Sequence, residues 1–162
     1  MTDFEALLKA LNRAKVRFVI VGAYAAVAHG SSSVTSDLDI CYERTSENIK
    51  NLAKALRPFR PRLRGVSANV PFTLDEKTLN SGMNFTLTSS AGDVDLFGEL
   101  VGVGQFDAVS QGARKVMLFG EPFRIASLDV IIASKRAAGR LKDLVVIAEL
   151  EALKELKSGH KT

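Results

Sequence analysis

The run from Val16 to Glu43, VRFVIVGAYAAVAHGSSSVTSDLDICYE, constrains the fold more than any other part of the chain. Phe18 to Val21 is a continuous apolar stretch rich in β-branched residues, the pattern of a strand covered on both faces. Gly22 ends it, the Ala-rich segment Ala23–His29 suits a short helix, and Gly30 with Ser31, Ser32 and Ser33 makes a small polar loop. A second strand then places Leu38, Ile40 and Tyr42 on one face and Asp37, Asp39 and Cys41 on the other, because side chains two residues apart on a strand share a face. Two carboxylates held side by side repel, and a fold that keeps them together usually has a cation to hold between them. A lone Asp-x-Asp at a strand entry also suits two solvated residues, so the rest of the chain decides.

Around this stretch the pattern alternates between helices and strands. Thr2 and Glu5 have the spacing of a capping box, and Phe4, Leu7, Leu8 and Leu11 continue as a helix over about 3–14. Thr45 or Ser46 caps a helix bearing Ile49, Leu52, Ala53 and Leu56, which stops at Pro58. Arg57, Arg60, Arg62 and Arg64 follow, interleaved with Pro58 and Pro61, and the prolines predict an irregular basic loop. Such a loop is either solvated or a clamp for phosphates or RNA. Met83–Thr88 and Asp93–Phe97 alternate on either side of Ser89–Gly92, which predicts a hairpin. Its second strand carries Val94 and Leu96 on one face and Asp93, Asp95 and Phe97 on the other, a second Asp-x-Asp with the same facing. Gly102 and Gly104 are followed by Asp107 where a dinucleotide fingerprint needs glycine, so a Rossmann site is rejected. Val116–Phe119 and Phe123–Ile125 flank Gly120 as a second hairpin, and Ser127 caps a helix through Val130, Ile131 and Ala133. A closing helix over about 139–157 carries Leu141, Leu144, Val145, Ala148, Ala152 and Leu156 as an apolar stripe, ahead of a frayed tail, 158–162.

At 162 residues the chain suits one domain, 1–157, with a single core. No apolar run approaches a membrane span, and Asp3 and Glu5 open an amphipathic pattern instead of a basic leader. A single cysteine, Cys41, forms no internal disulfide, which fits a reducing cytoplasm. The net charge of +4 permits a phosphate-bearing partner without demanding one.

Two strands with carboxylates turned away from the core, and no His or Cys cluster, make an oxygen-only ligand set that suits Mg²⁺ or Mn²⁺ and disfavours zinc. Such an ion usually takes its remaining ligands from substrate phosphates. Phosphoryl or nucleotidyl transfer is the chemistry indicated.

Val21-Gly22-Ala23, a thirteen-residue spacer from Tyr24 to Ser36, Asp37-Leu38-Asp39-Ile40, and then Gly92-Asp93-Val94-Asp95-Leu96-Phe97 together carry a pattern that resembles the nucleotidyltransferase superfamily related to DNA polymerase β. Ser127-Leu128-Asp129 through Lys135, and Gly139-Arg140-Leu141-Lys142-Asp143-Leu144, look like the tail of small prokaryotic members such as AbiEii-type toxins and minimal nucleotidyltransferases. The resemblance spans about 16–153. It implies an α/β (α+β) domain with a mixed, twisted sheet of about four or five strands and helices mainly on one face. It implies that Asp37, Asp39 and Asp95 hold the metal ions, with Asp95 also helping to deprotonate the acceptor hydroxyl. By the same likeness, Gly22 and Ala23 bring backbone close to the nucleotide and Ser31, Ser33 and Thr35 donate hydroxyl hydrogen bonds. Lys135, Arg140 and Lys142 neutralise its phosphates. The chain departs from the family pattern at Ala23, where Gly or Ser is usual, and at Ser33, where relatives often carry a basic residue.

The expected function is therefore transfer of a nucleoside monophosphate from an NTP to a hydroxyl of tRNA, protein or a small molecule such as an aminoglycoside, in a toxin–antitoxin setting. The alternative is a non-catalytic protein that binds RNA or a cognate toxin through the Arg57–Arg64 loop. A third reading is an antitoxin that silences its ribonuclease by nucleotidyl transfer. His29 reads as a helix-end residue and Cys41 as a buried packing thiol.

Overall fold

The computed structural model describes residues 2–159. In chain order the elements are α1 (Phe4–Arg13), β1 (Phe18–Val21), α2 (Gly22–Ala28), β2 (Asp37–Tyr42), α3 (Ser46–Leu56), a 3₁₀ turn (Arg57–Phe59), β3 (Arg62–Leu63) and α4 (Glu76–Ser81). They continue with β4 (Asn84–Ser89), β5 (Gly92–Phe97), β6 (Glu99–Leu100), β7 (Gly104–Gln105), α5 (Phe106–Val109), β8 (Arg114–Leu118), β9 (Glu121–Ile125), α6 (Leu128–Ala138) and α7 (Leu141–Gly159).

Seven strands form one mixed sheet in the order β3-β4-β5-β2-β1-β9-β8, and β6 and β7 make a separate two-stranded ladder. The class is as expected, but the sheet exceeds the four or five strands anticipated. Six of the seven are the strands read individually from the sequence, and the seventh is β3, where prolines predicted a loop. Pro58 falls inside the 3₁₀ turn, and Pro61 directly precedes an edge strand, where its missing N–H leaves no ladder bond unmade. The chain reverses between them at Arg60, whose φ is +51°.

Every residue of β1 is buried, consistent with its central place between β2 and β9. β2 runs antiparallel to β1 and parallel to β5. Its Leu38, Ile40 and Tyr42 are fully buried with Leu7, Leu8 and Leu11 of α1 and Ile49 and Leu52 of α3 in a single core. α1 packs on α3, and α6 packs against both α2 and α7.

At the helix ends and in α7 some readings change, and the cap of α3 is decided between its two candidates. Asp3 caps α1, accepting from the Ala6 N–H at 3.0 Å, while Glu5 pairs with Lys9; the Thr2 box is not used. Thr45 caps α3 through the Asn48 N–H. In α7 the inward positions are Asp143, Ile147 and Leu150, whereas Leu141, Leu144, Val145 and Leu156 face outward and are more than half exposed. An α7 sequence apolar on most sides leaves its orientation to tertiary contacts, and the pairing of Asp143 with α6 supplies them. Of the expected frayed tail, Ser158 and Gly159 belong to α7 and residues 160–162 lie outside the described residues. Among the described residues no helix is long and apolar enough to cross a membrane.

Candidate active site

Parallel pairing of β2 with β5 sets Asp37 opposite Asp93 and Asp39 opposite Asp95. Paired residues of adjacent strands project to one side of a sheet, so four carboxylates share a small area. One oxygen from each of Asp37, Asp39 and Asp95 lies within 4.8 Å of the other two. Asp39 is the most enclosed: its Oδ1 is shut off from solvent and has no hydrogen-bond partner. Burial first, then the charges of Asp95 and Asp37 and a hydrogen bond to Asp95, push its pKa up to about 7. Burial also raises the pKa of Asp95, against the pull of Arg64.

Gly22 explains how Asp39 fits. The residue turns the chain from β1 into α2 at φ +66°, and a Cβ there would stand 2.1 Å from Asp39 Oδ2. The space a side chain would take is filled by the carboxylate itself. The glycine is thus required by Asp39, a reason separate from the close backbone approach to phosphates that the resemblance implied.

The carboxylates lie along a cleft of about 510 Å³. Gly22, Ala23, Ser33 and Ser36 line one part of it, and Ser134, Lys135, Arg140 and Lys142 line another. Asp143 organises the basic side. It is buried, and takes Arg140 Nε at 2.7 Å and Lys135 Nζ at 3.7 Å. Burial raises its pKa, but the bonds and charges of Arg140 and Lys135 outweigh this and hold it below the usual carboxylate value. Of the expected hydroxyl donors, Ser33 lines the cleft, while Ser31 is buried and its Oγ is engaged with Ser33 in a local turn. Thr35 is not among the lining residues, and Ser36 is. Glu149 of α7 fixes this loop by accepting from Ser32 N–H at 2.8 Å and Ser32 Oγ at 2.7 Å.

Sequence reasoning put Arg64 in a basic loop and missed its place among the carboxylates. Its guanidinium lies 2.7 Å from Asp95 Oδ1, 3.3 Å from Asp93 Oδ2 and 3.8 Å from Asp37 Oδ2. Arg57, Arg60 and Arg62 are exposed, as a solvated basic loop requires. Arg64, directly after the edge strand β3, turns inward to the carboxylates. Cys41 is buried and its thiol pKa is pushed up to about 12, so it is a packing residue and not a nucleophile. His29 closes the C-terminus of α2, with Nε2 at 2.8 Å from Ala126 O and Nδ1 at 2.7 Å from Lys157 Nζ.

The three carboxylates fit a hard divalent ion. They offer oxygen only, they converge, and Asp39 Oδ1 is a buried acceptor with nothing else to satisfy it.

No protein-family model matches the sequence, and no curated protein matches it. Solved structures do match in fold. A Thermotoga maritima protein, TM1012, provisionally described as a nucleotidyltransferase, is 16% identical with a TM-score of 0.55 over 90% of this chain and 88% of its own. The antibiotic-resistance factor ANT(2'')-Ia in complex with adenylyl-2''-tobramycin is 14% identical with a TM-score of 0.56, over 98% of this chain and 97% of its own. Its solution structure gives a TM-score of 0.52 over 97% and 94%. At these identities the likeness concerns architecture, and this chain has the nucleotidyltransferase fold.

Proposed function

We propose that the protein is a metal-dependent nucleotidyltransferase that moves a nucleoside monophosphate from an NTP to a hydroxyl acceptor. The observation that carries this is the orphaned Oδ1 of Asp39 inside a three-carboxylate cluster, at a cleft that also presents Lys135 and Arg140. Asp37, Asp39 and Asp95 are the residues to hold Mg²⁺ or Mn²⁺; a bound ion there supplies charge neutralisation of the triphosphate and a lower pKa for the acceptor hydroxyl. The acceptor oxygen forms a bond to the α-phosphorus as the bond to the β-phosphate breaks. Its proton passes to Asp95. Lys135, Arg140 and Lys142 balance the charge that builds on pyrophosphate. Gly22 keeps Asp39 in place, and Ala23, Ser31, Ser33 and Thr35 belong to the strand-to-helix turn and loop that border the nucleotide.

A small-molecule hydroxyl is the preferred acceptor, by analogy with the adenylylated tobramycin of ANT(2'')-Ia. tRNA, a protein tyrosine, or a cognate toxin or antitoxin are the other candidates from the sequence. Incubation with α-labelled NTP, Mg²⁺ and each acceptor class is the direct test. Label transfer that disappears with Asp39→Asn supports the reading, and transfer unchanged by that substitution refutes it.

A second reading rests on Arg64. A guanidinium bonded to Asp95 already supplies one positive charge where catalysis needs a metal, as a non-catalytic RNA- or toxin-binding member of the fold would. Calorimetry separates the two, since Mg²⁺-dependent ATP binding that is lost in Asp37→Ala belongs to the enzyme alone.

A further inference from the structure

The pairing of β3, β4, β5 and β2 lines up residues of one face in rows. Arg62 lies opposite Thr88, and Thr88 opposite Asp93. One step inward, Arg64 donates its backbone N–H to Thr86 O at 3.0 Å, and Thr86 lies opposite Asp95, itself opposite Asp39. Arg64 and Asp95 therefore share a face, and their contact follows from register. The guanidinium Nη2 donates to Asp95 Oδ1 at 2.7 Å and to Leu87 O at 2.6 Å.

We propose that Arg64 is an internal counter-ion, occupying the cation position among Asp95, Asp93 and Asp37, and that a divalent metal ion enters this cluster only by displacing it. The inference rests on the metal-site reading above. A Mg²⁺ or Mn²⁺ ion sits roughly 2.1 Å from its carboxylate oxygens. Asp95 Oδ1 already holds a guanidinium nitrogen at hydrogen-bond distance, so the two cations compete for one oxygen and repel each other across it.

Two features mark the contact as displaceable. Nε is closed off from solvent and, though 3.3 Å from Asp93 Oδ2, is not aligned to donate to it, so the side chain is incompletely satisfied where it lies. Directly after it, Gly65 has φ +78° with open space around it and begins an exposed stretch through Pro71. The chain on that side can give way without breaking core packing.

Mn²⁺ binding without nucleotide, followed by the resonance of free Mn²⁺ at fixed pH and low ionic strength, tests this. Arg64→Gln is expected to tighten Mn²⁺ binding about tenfold or more, because a competing charge is removed. Arg62→Gln, which deletes the same charge from the exposed neighbour on β3, is expected to change it less than about twofold. Arg64→Gln binding no tighter than wild type, while Asp39→Asn abolishes binding, overturns the counter-ion alone. Binding that persists in Asp39→Asn overturns the metal site as well. Should Arg64→Gln fail to fold, the unsubstituted chain supplies the readout through its Arg64 Nε–H nuclear resonance. That proton is expected to exchange slowly without metal and rapidly at saturating Mg²⁺, and protection that survives Mg²⁺ refutes displacement.

Discussion

Gly22→Ala puts the geometry of the cluster under direct strain. A Cβ at this position meets Asp39 Oδ2 at 2.1 Å and Asp39 Cγ at 2.9 Å, where ordinary contacts are about 3.5 Å or more. Asp39 must swing by about 1 Å or more, off the position it holds in the cluster. The backbone adds its own penalty, since φ +66° costs a non-glycine residue roughly 1–2 kcal/mol. With roughly 0.5–1.5 kcal/mol for forcing the Asp39 side chain off its rotamer, the loss is about 1.5–3.5 kcal/mol. In a domain of this size that lowers Tm by roughly 3–14 °C. Gly120→Ala is the internal control: Gly120 has φ +78° but nothing within 4 Å, so it bears the backbone penalty alone. In a double-mutant cycle, Gly22→Ala should couple to Asp39→Ala by about 1 kcal/mol, and Gly120→Ala should not couple. Nucleotidyl transfer should fall about a hundredfold in Gly22→Ala, the usual consequence of a ligand misplaced by an ångström, and stay near wild type in Gly120→Ala. Urea melts and transfer rates read both. Equal behaviour of the two alanine variants, in coupling and in rate, would show that Gly22 does not shape Asp39.

Other expectations follow from the same contacts. Because the folded Asp39 pKa is raised to about 7 from 3.8, its contribution to stability is full below about pH 4 and is lost as pH rises through 7. Metal-free wild type should therefore lose stability between pH 4 and 8 relative to Asp39→Asn, by at most about 4 kcal/mol; thermal melts in chelator check this, and a pH-independent difference counts against the burial of Asp39. Asp143→Asn removes the carboxylate that holds Arg140 and Lys135, and should cost about 1.5–3 kcal/mol in a urea melt while raising the KM for NTP. Cys41, buried with its thiol pushed up to about 12, should stay unreactive toward a thiol reagent at pH 8 until the protein unfolds; rapid labelling of native protein contradicts its placement.

Alternation along β2 and β5 made the two carboxylate-bearing faces legible, since a period of two needs no tertiary information, and the family resemblance singled out Asp95 over Asp93. Their parallel pairing is what converts two separate Asp-x-Asp runs into one cluster. Arg64 was not legible because Pro58 and Pro61 argue against a strand, and an edge strand of two residues leaves no periodic trace. Gly22 was visible as a strand terminator, but its reason lies in the Asp39 carboxylate across the β1–β2 pair, remote in sequence. The α7 stripe was legible, but which side of the helix turns inward was not, for a related reason. With apolar residues on most sides, the inward face is chosen by the Asp143 contacts to Arg140 and Lys135, which no hydropathy pattern records.

Asp37, Asp39 and Asp95 should hold the metal for a nucleotide bound in the cleft beside Lys135 and Arg140. Crystals grown with Mn²⁺ and a non-hydrolysable ATP analogue test it most directly, by anomalous scattering. A Mn²⁺ peak is expected roughly 2.1 Å from oxygens of Asp37, Asp39 and Asp95, touching the analogue's phosphates, with Arg64 moved off Asp95. Nucleotide bound elsewhere, or no peak at the carboxylates, would contradict it.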